Sequence, residues 1–220
     1  DSIDVLVSQS HIDSAVAILQ QHKKSIKASN RKKLVDIYWK ISNNYEVNGM
    51  LDSALKYVNL SWNLLKDTHY NEYFDKYLSF MAYCYWEKGN YSKSLSFLME
   101  AERNIEHADS NNIRSIYNTF GLTYSQLGNF HLAEKYYNKS LTIAKNLNQK
   151  SFAGVINANL GRLYYDQGKL EKALAFFKKG SEIDLETNNH SAAGRSFSIM
   201  ANIYLEKDHP KKARHFLKKA

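Results

Sequence analysis

A tyrosine returns through this chain at Tyr45, Tyr85, Tyr124, Tyr164 and Tyr204, at intervals of 40, 39, 40 and 40 residues. Four other columns keep step with it. Three residues before each tyrosine stands a small residue: Ser42, Ala82, Gly121, Gly161 and Ala201. Four residues after it stands a turn residue: Gly49, Gly89, Gly128 and Gly168, then Asp208. Five further on is another small residue, Ala54, Ser94, Ala133, Ala173 or Ala213, and four beyond that a bulky one, Val58, Leu98, Tyr137, Phe177 or Leu217. A fixed long period is the mark of an array, because one unit cannot bury its apolar face alone and must stack on the next. Upstream, Ile3, Leu6, Ser10, Ala15 and Leu19 fall on the same columns in degraded form, as a terminal capping copy would.

Each unit reads as two helices. Around Gly161, the apolar residues Val155, Ala158, Leu160, Leu163 and Tyr164 precede Gly168, and Leu170, Ala173, Leu174 and Phe177 follow it. The spacing is three to four on both sides, a helical period. Gly168 suits a left-handed residue at a helix end, and the short Tyr165–Lys169 stretch leaves room only for a tight antiparallel turn. Gly161 and Ala173 let two backbones approach, and the aromatic columns fill the space between hairpins. Pro210 stands where the last second helix begins and its missing N–H costs nothing. One proline and nine glycines argue against a β-sandwich, and a single cysteine excludes a disulfide framework or a multi-cysteine zinc site. No apolar run approaches the ~18 residues of a membrane span.

Asn159-Leu160-Gly161, Tyr164, Gly168, Ala173 and Phe177 resemble the tetratricopeptide repeat, as do Tyr117, Phe120-Gly121, Tyr124, Gly128, Ala133 and Tyr137. The period departs from the usual 34 by about six residues, placed mostly at the helix ends. That long-helix variant resembles kinesin light chains, Rap-type peptide-sensing regulators and the sensor regions of bacterial histidine kinases. The resemblance implies an all-α fold, a right-handed α-α superhelix of about five full hairpins plus a degraded N-terminal one. The units run approximately 1–33, 34–73, 74–112, 113–152, 153–192 and 193–220 in a single array. The chain begins without an initiator Met and Lys211–Ala220 looks like a shortened cap, so a longer parent protein is expected.

Such arrays present a concave groove lined by the first helix of each pair. In the second unit, Tyr38, Ile41, Ser42 and Tyr45 face the partner helix, leaving Trp39, Lys40, Asn43 and Glu46 for the groove. The same offset selects Tyr83 and Trp86, then Asn118, Thr119 and Ser125, then Asn159, Arg162 and Tyr165, and finally Arg195 and Asn202. Asn can donate to and accept from a peptide backbone, Arg can hold a carboxylate with two parallel bonds, and Trp and Tyr give contact area at low entropy cost. The expected partner is a protein or peptide segment, with Asn43, Asn118, Asn159 and Asn202 reading its backbone. The two-carboxylate clamp of chaperone-binding relatives does not map here, since Tyr83 and Trp86 stand where polar groups are needed.

The net charge is +8, and it is unevenly spread. Residues 1–110 carry 13 Lys/Arg against 14 Asp/Glu (−1), and residues 111–220 carry 17 against 8 (+9). A basic half can attract nucleic acid. Most of the lysines sit singly between apolar residues, as on solvated helix faces, and the dense stretches Lys23–Lys33 and Lys207–Lys219 lack interleaved aromatics. Nucleic acid is therefore the alternative partner rather than the expected one. A homo-oligomer is compatible with the pattern. The scattered histidines show no metal spacing, Cys84 between Tyr83 and Tyr85 reads as a buried small hydrophobe, and no phosphate loop is present. No catalytic residue, metal or cofactor is expected. The Tyr-, Asn- and Lys-rich, Pro-poor style leans towards a bacterial extracytoplasmic sensor region, with the cytoplasm as the alternative.

Overall fold

The computed structural model describes Ala17 and residues 31–65 and 74–220. The degraded first copy at Ile3–Leu19 and the lysines Lys23, Lys24 and Lys27 lie outside the described residues apart from Ala17. The chain forms two compact units, residues 1–108 and 109–220. In the first unit the described helices are α1 (Arg31–Val47), α2 (Leu51–Leu65), α3 (Phe74–Glu87) and α4 (Tyr91–Arg103), followed by a 3₁₀ turn at Ile105–His107. The second holds α5 (Ser110–Gln126), α6 (Phe130–Asn146), α7 (Lys150–Asp166), α8 (Leu170–Glu186), α9 (His190–Glu206) and α10 (Pro210–Leu217). The described residues contain no strand. Pro210 is the first residue of α10.

The tyrosine and turn columns together close each hairpin. Gly49, Gly89, Gly128 and Gly168 take φ of 72°, 73°, 73° and 69°, and Asp208 takes 55°. This left-handed residue lets the chain double back, and the N–H that follows it donates to the tyrosine carbonyl. Met50, Asn90, Asn129, Lys169 and His209 make that bond to Tyr45, Tyr85, Tyr124, Tyr164 and Tyr204 at 2.8–2.9 Å. The helix ends are thereby sealed in a Schellman-type geometry. Asn148 (φ 54°) and Asn188 (φ 59°) do the same job between hairpins of the second unit, with Gln149 and Asn189 donating to Ala144 and Asp184. Asn90, Asn129 and Asn189 then cap the following helix by accepting from Lys93, Leu132 and Ala192 N–H.

Inside each hairpin the tyrosine ring stacks on the ring twelve residues later. The pairs are Tyr45–Tyr57, Tyr85–Phe97, Tyr124–Tyr136, Tyr164–Phe176 and Tyr204–Phe216, with centroids 5.3–5.7 Å apart and interplanar angles of 5–16°. This places all five tyrosines equivalently, as a repeat requires. Lys93, Lys172 and Lys212 lie over the rings of Tyr85, Tyr164 and Tyr204.

The small column is matched to the bulky one. A Cβ at Gly121 would stand 2.5 Å from the Tyr137 ring, and one at Gly161 2.9 Å from that of Phe177. The repeats that carry Ser42 and Ala82 have the buried aliphatic Val58 and Leu98 in that column instead, whereas Leu217, the bulky residue expected opposite Ala201, is 54% exposed. Glycine therefore appears where the facing position holds a ring. Ser61 and Ser140 form a further small column, donating to the carbonyls of Val35 and Arg114 at 2.9 and 2.8 Å. Gly180 occupies the equivalent place, where a Cβ would meet Gly154 O and Ala158 N at 3.2 Å.

Candidate functional site

The core stripes of the first helices behave as the pattern requires. Tyr38, Ile41 and Ser42 are buried, and Tyr45 is half-buried on Tyr57. The residues off that stripe divide by unit. In the first, Trp39 is half-buried against Tyr77 and Phe80, at 4.8 and 5.1 Å between centroids, with the Lys76 ammonium 4.1 Å above its ring. It ties α1 to α3 as much as it faces outward. Lys40 is exposed and pairs with Asp36 at 2.9 Å, and Asn43 is half-buried.

Tyr83 and Trp86 form a ring pair at 5.8 Å. The Tyr83 hydroxyl donates to Glu87 at 2.8 Å, and burial followed by that carboxylate raises its pKa strongly. The Trp86 indole N–H is shielded from water and has no hydrogen-bond partner. Glu46 belongs to the same cluster: burial, then the charge of Glu87, raises its carboxyl above the ordinary range. Two carboxylates and two rings thus meet on α1 and α3.

In the second unit, Asn159 Nδ2 donates to Asn118 Oδ1 at 3.1 Å, joining α5 to α7. Arg162 donates to Asp166 at 2.8 Å and lies over the Tyr165 ring, and the Tyr165 hydroxyl donates to Glu206. Ser125 is half-buried, and Asn202 is exposed. Arg195 donates to Ser191 at 2.9 Å, and its charge is felt by the buried Asp184 of α8.

Thr119 is a correction. It is 3% exposed, and its hydroxyl donates to Ser115 O at 3.0 Å. At the equivalent place in the next repeat, the longer Asn159 reaches across to Asn118, whereas the short threonine satisfies itself on its own helix and leaves the face. Conversely, Glu87, Asp166 and Glu206 were not singled out, although all three stand two residues after the repeating tyrosine. That column was the signal available.

Several lysines of the basic half are engaged with rings: Lys139 over Tyr117 and Tyr136, and Lys172 over Tyr164. Cys84 is fully buried, and burial pushes its thiol up to about 12. Among the described residues no group of three His, Cys, Asp or Glu side chains could hold a metal ion, and no helix is long and apolar enough to cross a membrane.

The family model described as tetratricopeptide repeat matches residues 74–146 and 152–220, most of the described chain. The chain belongs to the tetratricopeptide repeat family. Solved tetratricopeptide structures share its fold at low identity. A signal transduction ATPase with numerous domains, carrying a tetratricopeptide repeat sensor, from Pyrococcus horikoshii is 19% identical, with a TM-score of 0.78 over 99% of this chain and 34% of its own. The Rap conjugation gene regulator of plasmid pLS20, in complex with the Phr* peptide, is 14% identical, with a TM-score of 0.72 over 88% of this chain and 55% of its own. A Podosopora anserina putative kinesin light chain with nearly identical repeats is 14% identical, with a TM-score of 0.64 over 84% and 92%. The chain thus spans about a third of the signal transduction ATPase and about half of the Rap regulator. No curated protein matches its sequence.

Proposed function

We propose that this tetratricopeptide array is a peptide-binding scaffold, the sensory or docking region of a bacterial signal-transduction or transcriptional regulator. The observation that carries the reading is the surplus of side-chain chemistry on the first helices. Trp86 keeps an indole N–H with no partner beside Tyr83, Glu46 and Glu87, and the Asn118–Asn159 pair retains amide donors and acceptors beyond its single mutual bond. These are donors and acceptors of the kind a peptide backbone or side chain can engage. The regulator that carries a Phr* peptide on the same fold supports the choice of ligand class.

The test is selection of binders from a randomised peptide library on the whole chain. Trp86→Ala and Arg162→Ala, which lie in different units, should each weaken capture of a selected peptide about tenfold or more, with the helical melting curve unchanged. Capture that survives both, or loss of folding in either, would remove the assignment of these faces.

A further inference from the structure

Arg114 is a buried cation without a counter-ion. It leaves the second turn of α5, is 6% exposed, and its guanidinium carbon lies 3.4 Å from the centroid of the Phe152 ring. Its Nε is sealed from water and has no hydrogen-bond partner. Among the described residues no carboxylate stands within ion-pair distance of it. Asp109 acts on it only through its field; its carboxylate caps the start of α5, one oxygen accepting from Asn111 N (2.8 Å) and Asn112 N (3.0 Å), the other from Asn112 Nδ2 (2.8 Å). Arginine does not escape this cost by losing its proton. An uncompensated buried charge is strongly unfavourable, so an anion is the group that would complete the site.

The ring that covers Arg114 belongs to the third residue of α7, and the start of α7 is also incomplete. Its N-cap, Gln149, makes no side-chain cap. The Gln149 amide donates instead to Asn111 Oδ1, and its Oε1 is sealed without a partner. The amides of Ser151 and Phe152 are therefore left without a capping oxygen, at the positive end of a 17-residue helix. Lys150, the first residue, is turned to Glu186 at 3.2 Å. Arg114 thus packs on the ring of a residue whose own backbone amide, with that of Ser151, lacks a cap. Asn118 lies one turn along α5 from Arg114, and Asn159 two turns along α7 from Phe152, so the amide pair continues the same seam between the two helices. The surrounding residues 111–220 carry +9.

We propose that Arg114 and the N-terminus of α7 bind a carboxylate of the captured peptide, while Asn118 and Asn159 take its backbone one to two turns further along. This rests on the peptide-binding reading and adds to it that the ligand is acidic. The carboxylate can be a side chain or the C-terminus, which the probes below separate.

The experiment is ¹H–¹⁵N NMR on the whole chain, following Arg114 Nε–H and the Ser151 and Phe152 amides. The probes are acetylated, amidated Ala-Ala-Glu-Ala-Ala, its glutamine counterpart, acetylated Ala-Ala-Ala with a free C-terminus, and inorganic phosphate, all at one ionic strength. Saturable shifts at these three groups with the glutamate or the free-carboxylate peptide, absent with the glutamine one, support the site and show which carboxylate it takes. Arg114→Gln should abolish those at the Ser151 and Phe152 amides. Because that variant could disturb packing, Gln149→Asp is the second: it supplies an internal carboxylate cap, leaves Arg114 in place, and should weaken the acidic peptide about tenfold. Unmoved signals with both carboxylate peptides, or Gln149→Asp binding as tightly as wild type, overturn the site while leaving library capture through Trp86 and Arg162 intact. Shifts with phosphate but with neither peptide overturn the peptide carboxylate in favour of a free oxyanion. Loss of library capture with these shifts retained would instead remove the broader peptide reading.

Discussion

Replacing Gly161 by alanine sets two effects of opposite sign against each other. Helix propensity alone favours the change by about 1 kcal/mol, because Gly161 lies inside α7. The packing opposes it. The new Cβ would stand 2.9 Å from Phe177 Cδ1 and Cγ and 3.1 Å from Cδ2. Ordinary carbon contacts begin near 3.5 Å, so three ring atoms overlap by about half an ångström. Phe177 is 1% exposed and cannot swing into solvent, so α7 and α8 must separate. Overpacking of this kind costs about 1–3 kcal/mol, and the net expectation is a loss of about 1 kcal/mol. The repeats themselves supply the control, since Ala82 faces a leucine column at Leu98. Phe177→Leu should therefore make Gly161→Ala harmless or favourable, a coupling of about 1 kcal/mol or more between neighbours. Urea unfolding of the four proteins, followed by circular dichroism, measures it. If Gly161→Ala is stabilising to the same extent in both backgrounds, propensity alone governs the position and the ring-for-glycine exchange is wrong.

Asp184 is 1% exposed with both oxygens unpartnered, and burial raises its carboxyl pKa despite the opposing charge of Arg195. The folded state therefore holds this proton more tightly than the unfolded one, and its contribution to stability falls as pH rises from the ordinary carboxylate value through the raised one. Asp184→Asn should stabilise the chain at neutral pH and flatten the stability profile across that window, which unfolding curves over a pH series will read. Gly128→Ala meets nothing within 4 Å, so its cost is the φ of 73° alone, about 1 kcal/mol, and Asp208→Gly should gain part of that amount, both read by thermal unfolding.

The five columns were legible because each performs the same job along the array: the tyrosine carbonyl closes the turn, glycine (Asp208 in the last copy) supplies the left-handed residue, and the small and bulky residues pack across, except at the exposed Leu217. The ring twelve residues after each tyrosine escaped notice because it adjoins the bulky column, and a run such as Phe176-Phe177 does not say which ring stacks on Tyr164 and which fills the Gly161 notch. Asn148 and Asn188 escaped because they do in the second turn what glycine does in the first. The outward face was less legible. Position on a helix predicted that Thr119 and Asn159 would be alike, but side-chain length decided that one folds back on its own helix and the other reaches its neighbour. Arg114 was hidden for the opposite reason: it lies ten residues before the tyrosine, in a column that holds Val35, Asp75, Gly154 and Gly194 elsewhere, so no rule of the repeat marks it.

The repeat predicts that equivalent ring pairs are energetically equivalent, and double-mutant cycles test this directly. Leucine substitutions at Tyr85 and Phe97 in one unit, and at Tyr164 and Phe176 in the other, should give couplings of about 0.5–1.5 kcal/mol at both pairs. The Tyr164–Glu134 hydrogen bond is lost in both arms that change Tyr164 and cancels in the cycle. Couplings of similar size would establish that the cadence positions the same ring contact in both units. A coupling near zero in either pair would contradict the stacking on which the array is built.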